Sequence, residues 1–203
     1  MAHVTRARFA VSVLFVIHGV VVGTFATRLP WISGRLGADL VGLGFGLLLA
    51  SVGSLAGMRF SSAVNRRFRS GPTTAVLNVM WCASLVIPAL ITDLVWFGAV
   101  MFLYGVATAL ADIAMNAQGV LIEQKAGRSV MSGLHGLWSL GALAGSGVGV
   151  LAAGLDARVH FTLVALPLAI TSVAVGRDVL DVRTPAESRS ARFALPARAV
   201  VPG

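Results

Sequence analysis

The sequence predicts an all-α membrane protein whose core is a bundle of six transmembrane helices. Of its 203 residues, 57% are hydrophobic and only 12% are charged, whereas a soluble domain has about 25% charged residues. Long apolar runs alternate with short basic gaps along the chain. A soluble fold could not bury that much apolar surface, so the composition indicates a protein that resides in a bilayer.

Six apolar runs are long enough to cross the hydrocarbon core, which requires about 20 helical residues. Each run must be helical, because unpaired backbone groups are too costly in lipid. The predicted spans are 9–27, 39–58, 73–91, 95–121, 131–154 and 159–176. Residues 1–8 form a predicted cytoplasmic N-terminus, and 177–203, rich in Pro, Arg, Ser and Ala, a disordered cytoplasmic tail.

The basic residues predict the orientation of the spans. If the N-terminus is cytoplasmic, all of the 16 Lys and Arg residues except Arg28, Arg35 and Arg158 fall in cytoplasmic segments. Short basic loops stay on the cytoplasmic side, so both termini are expected inside, in a multi-pass protein of the cell (inner) membrane. Since these residues form no basic face with interleaved aromatics, the sequence does not indicate a nucleic-acid partner.

Motifs for catalysis and cofactor binding are missing from the sequence. It contains no G-x-x-x-x-G-K-[ST], H-E-x-x-H or G-x-S-x-G pattern. Cys82 is the only cysteine, which excludes an intrachain disulfide and a cysteine-based zinc site. We therefore expect no enzyme activity, no cofactor and no metal.

A weak internal similarity relates the first three spans to the last three. Residues 51–57 and 139–145 are identical at five of seven positions with an offset of 88. Residues 18–20 (HGV) align more weakly with 104–106 (YGV) at an offset of 86. Small residues also recur simply because they let helices approach closely. If the similarity is a repeat, its three-helix unit predicts a 3+3 inverted repeat, as in half of a twelve-helix secondary transporter.

Polar residues in the fourth span predict a wet surface within the membrane. Tyr104, Thr108, Asp112 and Asn116 recur every four residues and so share one helical stripe. An ionisable group at this depth usually faces a cavity or a partner. We expect a cavity-lining stripe, and the alternative is that Asp112 only makes a structural hydrogen bond or ion pair. His135 lies at a similar depth, so Asp112 and His135 are candidates for a proton-sensitive pair or an inner gate.

Two further residues of the first span are candidates for the transport path. His18 lies at its centre, where it either contacts a ligand or is a neutral, hydrogen-bonded core histidine. Arg28 follows the span at its outer end, where it either reaches the lipid headgroups or attracts anions into a vestibule.

Three motifs resemble those of bacterial major facilitator superfamily transporters, in particular the fucose-permease-like group. They are Leu29-Pro30-Trp31-Ile32, the segment 112–118 (DIAMNAQ) and the segment 135–141 (HGLWSLG). The resemblance implies a secondary transporter of twelve helices in two bundles, often driven by proton symport. In sugar-transporting relatives an acidic residue of the fourth helix takes part in proton coupling, and Asp112 matches it. The first span holds no acidic residue, which argues against sugar symport of the fucose type.

The resemblance also bears on a cytoplasmic loop. In the superfamily the loop between helices two and three reads like G-x-x-x-D-R-x-G-R-R and helps to latch the cytoplasmic side. The corresponding residues here keep the basic character but have no aspartate, which implies an altered latch; they include Asn65, Arg66, Arg67 and Arg69.

Six spans match only the N-terminal half of such a transporter. Three explanations are open: a truncated or frameshifted product, which we favour, a half that pairs with a separate C-terminal half, or a pair of identical copies. The expected function is proton-coupled transport of a small polar solute across the lipid bilayer. The alternative is a non-transporting membrane scaffold or a regulatory half-protein that pairs with another membrane protein.

Overall fold

The fold is described from a computed structural model, which covers residues 2–181 apart from the side chains of Ala2, Ser62, Asn65 and Arg66. These residues form helices and no strands, which confirms the predicted all-α class. The helices are α1 (Ala2–Ala26), α2 (Leu29–Leu36), α3 (Leu40–Arg67), α4 (Ser70–Ser84), α5 (Ile87–Leu90), α6 (Leu94–Ala126), α7 (Met131–Leu151) and α8 (Ala157–Gly176).

Six helical segments of the described chain are long and apolar enough to cross a membrane, as predicted. They are α1, α3, the α4–α5 segment, α6, α7 and α8. Several helices extend beyond their apolar run: α3 continues to Arg67 and α6 to Ala126, where Gly127 in a left-handed conformation (φ 64°) ends it. Hydropathy marks the part that crosses lipid, whereas the helix itself continues until a terminating residue stops it.

The short helix α2 lies in a segment that the sequence analysis left as a gap. Pro30 occupies its first turn, where a missing N–H costs nothing, and Gly37 ends it in a left-handed conformation (φ 60°). Ile32 is its buried residue and anchors it to the core of the bundle.

Aspartates cap the start of three long helices. The carboxylate of Asp39 accepts from the backbone N–H of Gly42, and that of Asp93 from Val95 and Trp96. Asp156 accepts from the backbone and the side chain of Arg158, which lowers the pKa of Asp156 to about 2. A negative side chain at a helix N-terminus satisfies free N–H groups and opposes the helix dipole.

Two helix pairs pack through glycines against bare backbone. In the α3–α6 pair, a Cβ on Gly53 would overlap the carbonyl oxygen of Phe102. In the α1–α7 pair, a Cβ on Gly141 would overlap the carbonyl of Val16, and one on Gly145 that of Val20. Small residues allow this close approach, which maximises contact where no hydrophobic effect drives association.

The glycine contacts of the two pairs correspond to each other in the sequence. Gly53 on Phe102 and Gly141 on Val16 are related by the offsets of 88 and 86 residues at which the sequence similarity occurs. The remaining long helices, α4 and α8, pack on each other and on α6 and α1 respectively. This correspondence agrees with a repeat, and the inverted 3+3 relation stays a prediction.

The residues that follow α8 pack against the bundle. Val179 and Leu180 are buried, and the amide Nε2 of Gln118 donates to the carbonyl of Leu180 at 2.8 Å. Arg69 forms an ion pair with Asp181. Apolar side chains thus hold 177–181 in place, although the predicted disordered tail began at Arg177. Residues 182–203 of that tail lie outside the described part of the chain.

Candidate functional site

The predicted polar stripe lies along α6 and is only partly shielded. Thr108, Asp112 and Asn116 are partly buried, whereas Tyr104 is 9% exposed. The amide Nδ2 of Asn116 donates to the carbonyl oxygen of Asp112 at 2.9 Å and to its carboxylate at 3.1 Å. Among the described residues Asp112 forms no ion pair. The carboxylate is therefore steadied by a neighbour one turn away and carries no compensating cation in direct contact.

Asp112 and His135 lie close enough for their charges to interact. His135 is exposed on α7, and its ring meets the edge of buried Phe15 at a centroid distance of 5.5 Å. No hydrogen bond joins Asp112 to His135 among the described residues. The structure thus brings the two together electrostatically across α6 and α7, while both keep part of their surface free.

His18 is a core histidine with specific partners. It is 3% exposed, and its Nδ1 accepts from the indole N–H of Trp138 at 3.0 Å. Its ring stacks on Trp81 at a centroid distance of 4.9 Å. Because Nδ1 accepts, the proton of the neutral ring is on Nε2. Among the described residues Nε2 has no partner in hydrogen-bond geometry, although the backbone of Thr108 lies nearby.

The guanidinium of Arg28 is buried, with 4% exposure, and is occupied by protein groups. Its Nε donates to Nδ1 of His160 at 2.9 Å, and Nη1 donates to the carbonyl of Ala153 at 3.1 Å. Nη2 donates to the carbonyl of Ala152. Arg28 therefore closes the C-terminal end of α7, where a positive charge complements the helix dipole.

A cluster of rings lies between His18 and the C-terminal end of α1. Tyr104 lies against Trp81 and against Phe25, each at a centroid distance of 4.8 Å. Phe25 stacks in turn near Phe161 at 6.4 Å. The cluster draws residues from α1, α4, α6 and α8, so it fixes the mutual positions of these helices around the stripe.

Sequence reasoning missed two central members of this arrangement. His160, a polar residue inside an apolar span, could have been found by the criterion that selected Asp112. Trp81 carries no comparable signal, because a tryptophan in a membrane helix is ordinary until its neighbours are known.

The basic loop residues lie apart from the polar stripe. Arg67 and Arg69 are exposed, and Arg69 pairs with Asp181 after the last helix. The side chains of Asn65 and Arg66 lie outside the described part, so their predicted role stays a prediction.

Comparison with known proteins identifies relatives of the chain. No protein-family profile matches it, and no solved structure does. It is 29% identical over 66% of its length to an uncharacterized MFS-type transporter of Yersinia pestis. The chain is thus similar to a protein named as an MFS-type transporter. It is also 26% identical over 80% of its length to the uncharacterized transporter y4wD of Sinorhizobium fredii, and 28% identical over 67% to the membrane protein MosC of Rhizobium meliloti.

The chain spans well under half the length of these relatives. The matched region covers 35% of the Yersinia protein, 42% of y4wD and 33% of MosC. With its six membrane-capable helices, it is a multi-pass membrane protein that resembles part of a major-facilitator-type transporter. The predicted resemblance to major-facilitator-type transporters is confirmed, whereas the placement in the fucose-permease-like group stays a prediction.

Proposed function

We propose that the chain is the N-terminal bundle of a major-facilitator-type secondary transporter that moves a small polar solute in symport with protons. The observation that carries this proposal is the placement of Asp112 and His135. The two ionisable groups interact across α6 and α7 and remain partly accessible. In a bilayer such groups are expensive unless they line a wet path or bind protons.

The proposal assigns Asp112 the role of proton carrier and Asn116 that of its positioning partner. Asn116 donates to the carboxylate from the same helix face, so it favours one orientation of Asp112 without neutralising it. His135, on the neighbouring helix α7, is proposed to act on the carboxylate of Asp112 through the electrostatic interaction between the two side chains. Tyr104 and Thr108 continue the path along the stripe.

The bundle is proposed to be oriented in the inner membrane with both termini in the cytoplasm, following the distribution of basic residues. A second bundle, either a C-terminal half or another copy of this chain, would supply the opposite wall of the path. The partly exposed stripe on α6 supports such a partner, because lipid alone would leave Asp112 and Asn116 poorly solvated.

Proton coupling is tested in vesicles that contain the purified full chain and an entrapped pH-sensitive dye. A panel of small polar solutes is added under an imposed pH gradient. If a second copy of the chain supplies the opposite wall in these vesicles, we expect solute-dependent proton entry for the wild type and its loss for Asp112→Asn. Asp39→Asn is the matched control, because Asp39 caps α3 at the exposed surface, and it should retain the flux.

The scaffold alternative makes a different prediction for the same vesicles. A scaffold buries the stripe against other helices and gives no solute-dependent proton movement with any member of the panel. That result, for a well-folded chain, would overturn transport by this chain alone. Unchanged proton entry in Asp112→Asn would overturn the role of Asp112.

A further inference from the structure

A groove opens beside the ring cluster, between α1, α3 and α6, with α4 as its floor. Its volume is about 340 Å³. Phe25, Trp81 and Tyr104 form aromatic walls, and Ser51, Ser54 and Thr108 add hydroxyl groups. The groove thus joins flat apolar surface to a few polar atoms, as small-molecule sites do.

The hydroxyl groups of the groove are acceptors for a ligand. Ser51 Oγ donates its proton to the carbonyl of Leu47 at 3.2 Å, and Ser54 Oγ donates to Gly105 at 3.1 Å. Thr108 Oγ1 donates to Tyr104 at 2.8 Å. Each hydroxyl has one proton, which the helix backbone already takes. The three hydroxyl oxygens therefore remain available to a solute as hydrogen-bond acceptors.

Two groups of the groove are donors without an acceptor. The indole N–H of Trp81 is buried and has no partner among the described residues. The phenolic hydroxyl of Tyr104 also makes no hydrogen bond to the described residues, and the Tyr104 ring contacts the rings of Trp81 and Phe25. Because Trp81 Nε1 has almost no accessible surface, the Tyr104 hydroxyl is the donor that a ligand oxygen in the groove can reach.

The groove is uncharged. Among the described residues that line it there is no carboxylate, guanidinium, amine or imidazole. A charged solute would lose its hydration here without gaining a counter-ion. A hydroxyl group fits best, because it accepts from Tyr104 and donates to the serine and threonine oxygens.

We propose that this groove binds a neutral, ring-shaped solute that carries hydroxyl groups, with the ring against the aromatic walls and the hydroxyls on Ser51, Ser54 and Thr108. This rests on the proposed function and supplies the chemical class of its solute. The groove binds the uncharged ring, and Asp112, one helical turn beyond Thr108, remains available to bind the proton.

The test uses three small rings of similar size: resorcinol, its dimethyl ether and benzoate. Binding to the full chain in lipid nanodiscs is measured by calorimetry, with empty nanodiscs as the blank. We expect saturable binding of resorcinol, and binding about tenfold weaker for the ether, which has no donors, and for the benzoate anion.

Two variants locate the binding. Tyr104→Phe removes a hydroxyl that makes no internal hydrogen bond, and Ser51→Ala removes an oxygen on the surface of α3, so both should fold. Each should weaken resorcinol binding about fivefold to tenfold. Trp96→Phe is the control, because Trp96 is 67% exposed and does not line the groove.

Equal binding of the three rings, no saturable binding of resorcinol, or resorcinol binding that both variants leave unchanged would overturn the proposal. Failure here is separable from failure of the proposed function. Asp112→Asn should abolish solute-dependent proton entry and leave resorcinol binding intact. Resorcinol binding without any proton flux would defeat the transport proposal and support the groove.

Discussion

The α1–α7 and α3–α6 pairs use the same backbone packing and different polar contacts. Both approach through glycines that face carbonyl oxygens, in matching registers. In the α3–α6 pair the polar contact across the interface is Ser54 with the carbonyl of Gly105. In the α1–α7 pair, Trp138 donates to buried His18, and Ser146 approaches the carbonyl of Gly23 at 3.5 Å.

Charged groups add to this difference at both ends of α7. The carboxylate of Glu123 accepts from the backbone N–H groups of Val130 and Met131 at its start, and Arg28 closes its end. Both charges have the sign that the helix dipole favours. Glycine packing thus sets the distance between two helices. Additional polar contacts decide how much of the stability of a helix pair depends on that packing.

The largest expected effect tests the glycine packing of the α3–α6 pair. Gly53→Ala should lower the free energy of unfolding by about 3 kcal/mol, because its Cβ would overlap the carbonyl of Phe102. The measurement is the rate at which Cys82, the only cysteine and fully buried, reacts with a maleimide dye on heating. Gly44→Ala, which adds a Cβ in open space, should be neutral or stabilising. Equal losses in both variants would contradict close packing as the cause.

A smaller loss is expected from the charged end of the α1–α7 pair. Arg28→Leu should lower the free energy of unfolding by about 2 kcal/mol, since it leaves His160 and two carbonyl groups without donors. The same thiol-reactivity assay measures it. Arg59→Leu, at an exposed position of α3, should change stability by less than about 0.5 kcal/mol. An Arg28 variant as stable as this control would show that the α7 contacts contribute nothing.

The hydrogen bond from Trp138 on α7 to His18 on α1 should contribute less to stability than Arg28 does. Trp138→Phe removes the donor to His18 and should cost about 1 kcal/mol, measured by chemical unfolding in detergent. Trp96→Phe serves as the comparison, because its side chain is 67% exposed. If His18→Gln lost as much stability in the Trp138→Phe background as in the wild type, the two residues would not be coupled.

The smallest effect concerns the cap of α8. The pKa of Asp156 is lowered to about 2 by the hydrogen bond from Arg158, so this contribution is complete above the ordinary aspartate pKa and is lost only as the pH falls through about 2. The difference in melting temperature between Asp156→Asn and the wild type should therefore stay constant from about pH 5 to pH 8. A difference that varies within that range would contradict the assigned pKa.

Local features of the fold could be predicted from the sequence, and contacts between distant segments could not. Six spans followed from hydropathy, and the stripe from Tyr104 to Asn116 followed from four-residue spacing, because both depend on neighbouring residues. Hydropathy did not predict the extension of α3 to Arg67, because a helix continues into water until a terminating residue stops it. The sequence also did not predict the partners of Arg28 and His18, because they lie in segments far along the chain.

The capping of the C-terminal end of α7 by Arg28 has a consequence for the synthesis of the protein and the packing of its helices. Arg28 follows α1 directly, whereas its partner His160 lies 132 residues further along the chain and is therefore synthesised later. Until then the guanidinium has to wait at the membrane surface, where water and headgroups solvate it. Docking of α7 and α8 onto α1 withdraws Arg28 from that surface, so the burial of Arg28 reports that these helices have packed together.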